Sequence, residues 1–128
     1  MKTTLGRRSM MAFGLGAFAA ALACAANAAE TVKLAFIGPL TGSNSAHGLG
    51  GRNSAELAVK LHNARPDAKY KFELTSLDDE CKPNVGVQVA TRAAADKNIA
   101  VIIPHYCSAV AVATVDVYTR FNAPVIVW

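Results

Sequence analysis

A doubly wound α/β fold with a parallel sheet is predicted by three observations. Apolar spacings of two and of three to four alternate along the chain, so strand-like and helix-like segments take turns. The run Ile99 to Ile103 is apolar without alternation, as in a strand buried on both faces of a parallel sheet. Short polar connections link the segments, which suits right-handed crossovers. The predicted order is β-α-β-α-β-α-β.

Residues 1–28 stand apart from this pattern. Lys2, Arg7 and Arg8 form a positive start, Met10 to Ala23 is apolar, and Ala26-Asn27-Ala28 offers an A-x-A cleavage site. These are the marks of a secretory signal peptide. The apolar run falls short of the ~20 residues a membrane-spanning helix needs. Arg7-Arg8-Ser9-Met10-Met11 is a partial twin-arginine pattern, so the export route stays open. Cys24 follows a poor lipobox, Ala21-Leu22-Ala23, and is expected to leave with the signal. Residues 29–128 then form one domain with ten basic and nine acidic residues. Most of the formal +4 charge therefore belongs to the leader and is no nucleic-acid footprint.

Thr31 to Ile37 reads as the first strand, ended by Gly38-Pro39. Gly38 to Gly51, rich in Gly, Ser and Asn, reads as a loop of the kind that lines a site. Arg52 to Ala64 is helical, with Ala55, Leu57, Ala58, Leu61 and His62 on its apolar spacing and Arg65-Pro66 as its stop. Tyr70 to Leu77 is the second strand, followed by Asp78-Asp79. Asn84 is the expected cap of a helix from Val85 to Lys97. After Ile99–Ile103 and the Pro104–Ser108 turn, Ala109 to Arg120 is a helix rich in valine, which packing must hold. Pro124 to Val127 is the expected fourth strand.

Ligands of such sheets sit at the carboxyl ends of the strands. Three segments fall there: Gly38–Gly51, Asp78–Asn84 and Pro104–Ser108. Cys81 and Cys107 lie in two of them, and an even pair in an exported chain favours a disulfide, which would tie two adjacent strand ends together. Zinc held by Cys81, Cys107, His105 and His47 is an alternative, though His105 and Cys107 at i and i+2 match no usual zinc spacing. A catalytic thiol is another. Ser108 stands where a strand gives way to a helix, so its hydroxyl either caps the helix or joins the free amides in holding a small anion. No G-x-S-x-G surrounds it, and no phosphate-binding or dinucleotide glycine pattern occurs in the first loop, so no cofactor is expected. Asp78, Asp79 and Glu80 read as a solvated turn in preference to a Mg²⁺ or Ca²⁺ site, and His47 as a surface histidine.

Gly38-Pro39-Leu40-Thr41-Gly42, Gly48, Leu61-His62-Asn63-Ala64, Asp78-Asp79-Glu80-Cys81-Lys82-Pro83, and Cys107-Ser108 followed by Asp116-Val117-Tyr118 resemble the periplasmic leucine/isoleucine/valine-binding proteins. The resemblance runs from about Thr31 to Ile126 and implies the incomplete first lobe of a type I periplasmic-binding fold. It implies a Cys81–Cys107 disulfide, a ligand carboxylate on the Ser108 hydroxyl and amide beside Cys107, His47 against the ligand, and Tyr106 along the pocket floor. Ala109-Val110-Ala111 replaces the family's serine-rich run, and His47 stands where an aromatic residue is usual.

The function so implied is that of an exported, periplasmic solute-binding component of an ABC importer. Its ligand would be a branched-chain amino acid or a related small amide or carboxylate. The expected partner is the transporter permease; no nucleic acid and no resident metal is expected, and the chain is expected to be a monomer without enzymatic activity. The other expectation is a truncated or vestigial fragment that binds nothing on its own. An α/β enzyme using Cys107 or Ser108 lacks a base at a recognisable spacing.

Overall fold

A computed structural model describes residues 30–128; the signal-peptide reading and Cys24 lie outside them. The elements are β1 (Glu30–Gly38), α1 (Ser45–Asn63), β2 (Tyr70–Asp78), α2 (Pro83–Ala95), β3 (Ile99–Ile103) and α3 (Ser108–Phe121). The strands form one parallel sheet in the order β2-β1-β3. β1 pairs with β2 without a break from Glu30↔Tyr70 to Gly38↔Asp78, while its register with β3 shifts after Lys33. The chain leaves β1 towards one neighbour and returns on its other side. That reversal opens a crevice at the carboxyl ends of β1 and β3.

β1 is the central strand and carries the core. Ala35 and Ile37 join Ala90, Ala93, Ile102, Val117 and Tyr118 in the cluster formed with α2 and α3. Phe36, between them in sequence, points to the opposite face and is wholly buried. Burying side chains of this size contributes about 1.5–3 kcal/mol each. Helices α2 and α3 approach closely because Gly86 has no side chain: a Cβ there would collide with Val110 Cγ1.

Four sequence expectations need correction. Gly38–Gly51 is no continuous loop, because α1 begins at Ser45. Three glycines make this a poor helix start by propensity, but Gly48 is buried on the Pro39 carbonyl and fixes the first turns by contact. Leu57 and Leu61 are not on the buried face; they are 55% and 61% exposed. The rotation of α1 is set instead by Asn63, whose Nδ2 donates to the Phe72 carbonyl and whose Oδ1 accepts the Phe72 amide, both at 2.8 Å. This side chain completes the outer edge of β2, which would otherwise present unpaired backbone groups.

Asn84 does not cap α2. Lys82 holds that position in extended conformation, with Pro83 as the first helical residue, where its missing N–H costs nothing. The expected fourth strand is reduced to one bridge, Ile102↔Val125. The Ile102 amide donates to Pro124 O at 3.0 Å and the Ile126 amide to Ile102 O at 2.9 Å. β3 is only five residues long, and Pro124 has no amide to extend the ladder.

Candidate functional site

At the end of β1 the chain turns through Gly38-Pro39, and Asp78 at the end of β2 holds that turn and its own. Asp78 Oδ1 accepts the amides of Leu40 (2.8 Å) and Glu80 (2.9 Å), and Oδ2 accepts the Thr41 hydroxyl at 2.5 Å. Burial pushes this carboxyl up. The Thr41 hydroxyl and the Glu80, Leu40 and Thr41 amides outweigh it and hold the group below the usual carboxylate range. The acidic run is therefore structural at its first residue.

It is structural at its second residue too. Asp79 is fully buried, contrary to the expected solvated turn. Its Oδ1 accepts the Cys81 amide at 2.9 Å, and its own amide donates to Gly38 O at 3.1 Å. Glu80 and Cys81 are both left-handed, at φ 52° and 57°. Non-glycine residues rarely adopt this conformation, and the paired aspartates supply the hydrogen bonds that hold it.

Cys81 and Cys107 form a disulfide with Cα atoms 5.6 Å apart. With both sulfurs bonded to each other, neither is a zinc ligand or a nucleophilic thiolate. The strands it ties are not the adjacent ones expected from the sequence. It links the ends of β2 and β3, which flank β1. His105, the other candidate zinc ligand, is also committed: Nδ1 lies 2.7 Å from Asp79 Oδ2 and Nε2 lies 2.8 Å from Tyr118 Oη. Burial pushes the Tyr118 phenol up; Thr114 opposes this and the Asp79 charge adds to it, so the hydroxyl keeps its proton. Sequence reasoning missed this trio. One signal was present: Asp79 and His105 each stand two residues before a cysteine.

Cys107, not Ser108, caps α3, in extended conformation and without a side-chain bond. Ser108 is the first helical residue and is exposed. The Cys107 carbonyl accepts the Val110 and Ala111 amides at 2.9 and 3.0 Å. The amides of Ser108 and Ala109 have no acceptor among the described residues. No acidic residue stands in the first turn of α3, so nothing there offsets the partial positive charge of the helix start.

His47, in the first turn of α1, stacks on Tyr106, with ring centroids 4.7 Å apart and planes 9° apart. The fold thus brings together two residues 59 positions apart that the sequence had singled out separately. Trp128, for which the sequence held no such signal, extends the row: its ring is 5.8 Å from Tyr106 and 5.2 Å from Phe36. It rests on Gly38 and Gly51, where a Cβ would meet it at 3.2 and 2.5 Å. The wall at the strand ends therefore offers two free amides, a hydroxyl and a row of aromatic faces.

A family model described as periplasmic binding protein matches residues 31–128. The chain belongs to the periplasmic binding protein family. The Leu/Ile/Val-binding protein of Escherichia coli K12 is 33% identical over 91 residues, which is 70% of this chain and 24% of that protein. A type 1 periplasmic binding protein from Bordetella pertussis superposes with a TM-score of 0.70 at 31% identity, covering 75% of this chain and 26% of that one. A solute-binding protein of an ABC transporter from Rhodopseudomonas palustris BisB5, solved with 3,4-dihydroxy benzoic acid, superposes at 0.67 and 27% identity, covering 76% and 26%. This periplasmic binding protein chain thus spans about a quarter of the length of its relatives, and its sheet corresponds to part of one lobe. Among the described residues no helix is long and apolar enough to cross a membrane.

Proposed function

We propose that this chain is the solute-binding component of an ABC importer, exported by a signal peptide at residues 1–28 and working as a monomer in the periplasm beside a permease. Residues 29–128 supply part of the first lobe. The observation that carries the reading is the exposed Ser108 at the start of α3, with two unpartnered amides, next to the stacked His47–Tyr106 pair.

Ser108 and its amide take a ligand carboxylate, because the start of a helix offers N–H groups and positive potential together. Cys107 contributes by position, since the disulfide fixes its backbone against Cys81. His47 and Tyr106 offer flat apolar faces with polar edges to the remainder of the ligand. A branched-chain amino acid fits this chemistry, as does a small aromatic or aliphatic acid. The relative bound to 3,4-dihydroxy benzoic acid supports the wider range. Hydrolytic chemistry has no support: both ring nitrogens of His105 are engaged, so Ser108 has no base from that residue.

One wall makes few contacts, so this chain alone binds weakly. Calorimetric titration of the full chain with L-leucine, L-phenylalanine and benzoate, each paired with its amide-capped form, tests the reading. Saturable millimolar binding of at least one carboxylate, lost on capping, is expected. No saturable heat from any of the three, or equal heat from the capped forms, would overturn it.

A further inference from the structure

Asp79, His105 and Tyr118 form a buried polar chain that ligand contact does not require. Their exposures are 0%, 3% and 7%. The Cys81 amide donates to Asp79 Oδ1 at 2.9 Å, Asp79 Oδ2 faces His105 Nδ1 at 2.7 Å, and His105 Nε2 faces Tyr118 Oη at 2.8 Å. A carboxylate only accepts, so His105 Nδ1 carries a proton towards Asp79, and Nε2 shares the second hydrogen bond with the Tyr118 hydroxyl. No buried side-chain polar atom among the described residues lacks a partner. A fully satisfied buried network of this kind specifies geometry more than it adds stability.

The geometry concerned is that of α3. The disulfide holds the helix at its N-cap, Cys107, and His105 holds it again at Tyr118. Tyr118 stands ten residues after Ser108, about 15 Å along the axis at the helical rise. Two hydrogen-bonded or covalent fixed points define a direction, and the packing of Val110 on Gly86 and of Val117 in the core supports it. The direction of α3 is also the direction in which the Ser108 and Ala109 amides face. Both holds trace back to one turn, because Asp79 receives His105 and also keeps Cys81 in its left-handed conformation.

We propose that Asp79, His105 and Tyr118 are positioning residues: the hydrogen-bonded chain through His105 fixes the axis of α3 and thereby aims the Ser108 and Ala109 amides at the carboxylate site. The aim rests on Ser108 receiving a carboxylate, the function proposed for it; the network does not.

Nitrogen-15 NMR on the full chain tests this, with sodium benzoate as the probe and with Tyr118→Phe, Asp79→Ala and Asp79→Asn as variants. The native protein is expected to carry its His105 proton on Nδ1. Tyr118→Phe loses only a hydroxyl, so it keeps the disulfide and the β1–β2 amide resonances. Its Ser108 and Ala109 amides shift, and benzoate binding weakens several-fold. Asp79→Asn can donate to Nδ1, which moves the proton to Nε2 and restores the native Ser108 and Ala109 resonances that Asp79→Ala displaces. A native His105 without a proton on Nδ1 would break the chain at Asp79 and overturn the proposal. So would Ser108 and Ala109 resonances that stay native in both Tyr118→Phe and Asp79→Ala while only the melting temperature falls. Should Asp79→Ala fail to fold, Tyr118→Phe decides. If native Ser108 ignores benzoate, the carboxylate reading fails, while the ligand-free resonances still decide the network.

Discussion

His105 Nδ1 lies 2.7 Å from Asp79 Oδ2, and their sequence separation of 26 equals that of Cys81 and Cys107. The ends of β2 and β3 are thus joined twice, once covalently and once through a buried ionisable pair, across the end of the strand that separates them. This double link holds the carboxyl ends of the two outer strands at a fixed separation.

The covalent link carries the larger share of stability. Closing a 26-residue loop is worth about 3.5 kcal/mol in the chain-entropy model. Cys81→Ser with Cys107→Ser is expected to lower the unfolding free energy by about 2–4 kcal/mol. Urea unfolding of the oxidised chain and of the double variant measures this; equal midpoints would contradict it.

Two glycines of α1 should respond in opposite directions. A Cβ on Gly48 would overlap the Pro39 carbonyl, a backbone atom that cannot swing away, whereas a Cβ on Gly50 meets nothing within 4 Å. Gly48→Ala is expected to cost about 1–3 kcal/mol. Gly50→Ala, in a helix and exposed, is expected to gain roughly 0.5–1 kcal/mol. Thermal melts of the two variants beside the native chain separate these outcomes, and a stabilised Gly48→Ala would remove the close approach.

Acid should loosen the Asp78 turn. Its carboxyl is held below the unfolded value of about 3.9, so the unfolded chain takes up the proton first as pH falls. The contribution is complete above the unfolded value and is lost as pH drops through the folded one. Asp78→Asn is therefore expected to be less stable than the native chain at neutral pH. The lost charge-assisted bonds set the difference at about 1–3 kcal/mol, and the two curves should converge as pH falls through the folded value. Parallel curves from pH 7 to pH 2 would contradict the assignment.

Local sequence carried the sheet better than it carried the first helix. Ile99–Ile103 is legible because an unbroken apolar run, four of its five residues β-branched, admits few alternatives beside short polar turns. The start of α1 is not, because Gly48, Gly50 and Gly51 argue against a helix until Pro39 is placed beside Gly48. The same limit applies to Leu57 and Leu61, whose spacing marks a buried face that Asn63 and the edge of β2 turn outward. The disulfide and the nearness of the three site segments were legible from cysteine placement and the strand-end rule. Asp79 was misread as solvated, since burial of an acid depends on a partner 26 residues away. Trp128 against Gly38 and Gly51 likewise has no local signal.

The central claim is that the start of α3 receives a carboxylate through Ser108. Amide chemical shifts of the full chain, recorded with benzoate and with uncharged benzyl alcohol, test it most directly when repeated on Ser108→Ala. Benzoate is predicted to move the Ser108 and Ala109 amides of the native chain, benzyl alcohol to leave them, and Ser108→Ala to weaken the benzoate response several-fold. Equal responses to acid and alcohol, or an undiminished benzoate response in Ser108→Ala, would contradict the claim.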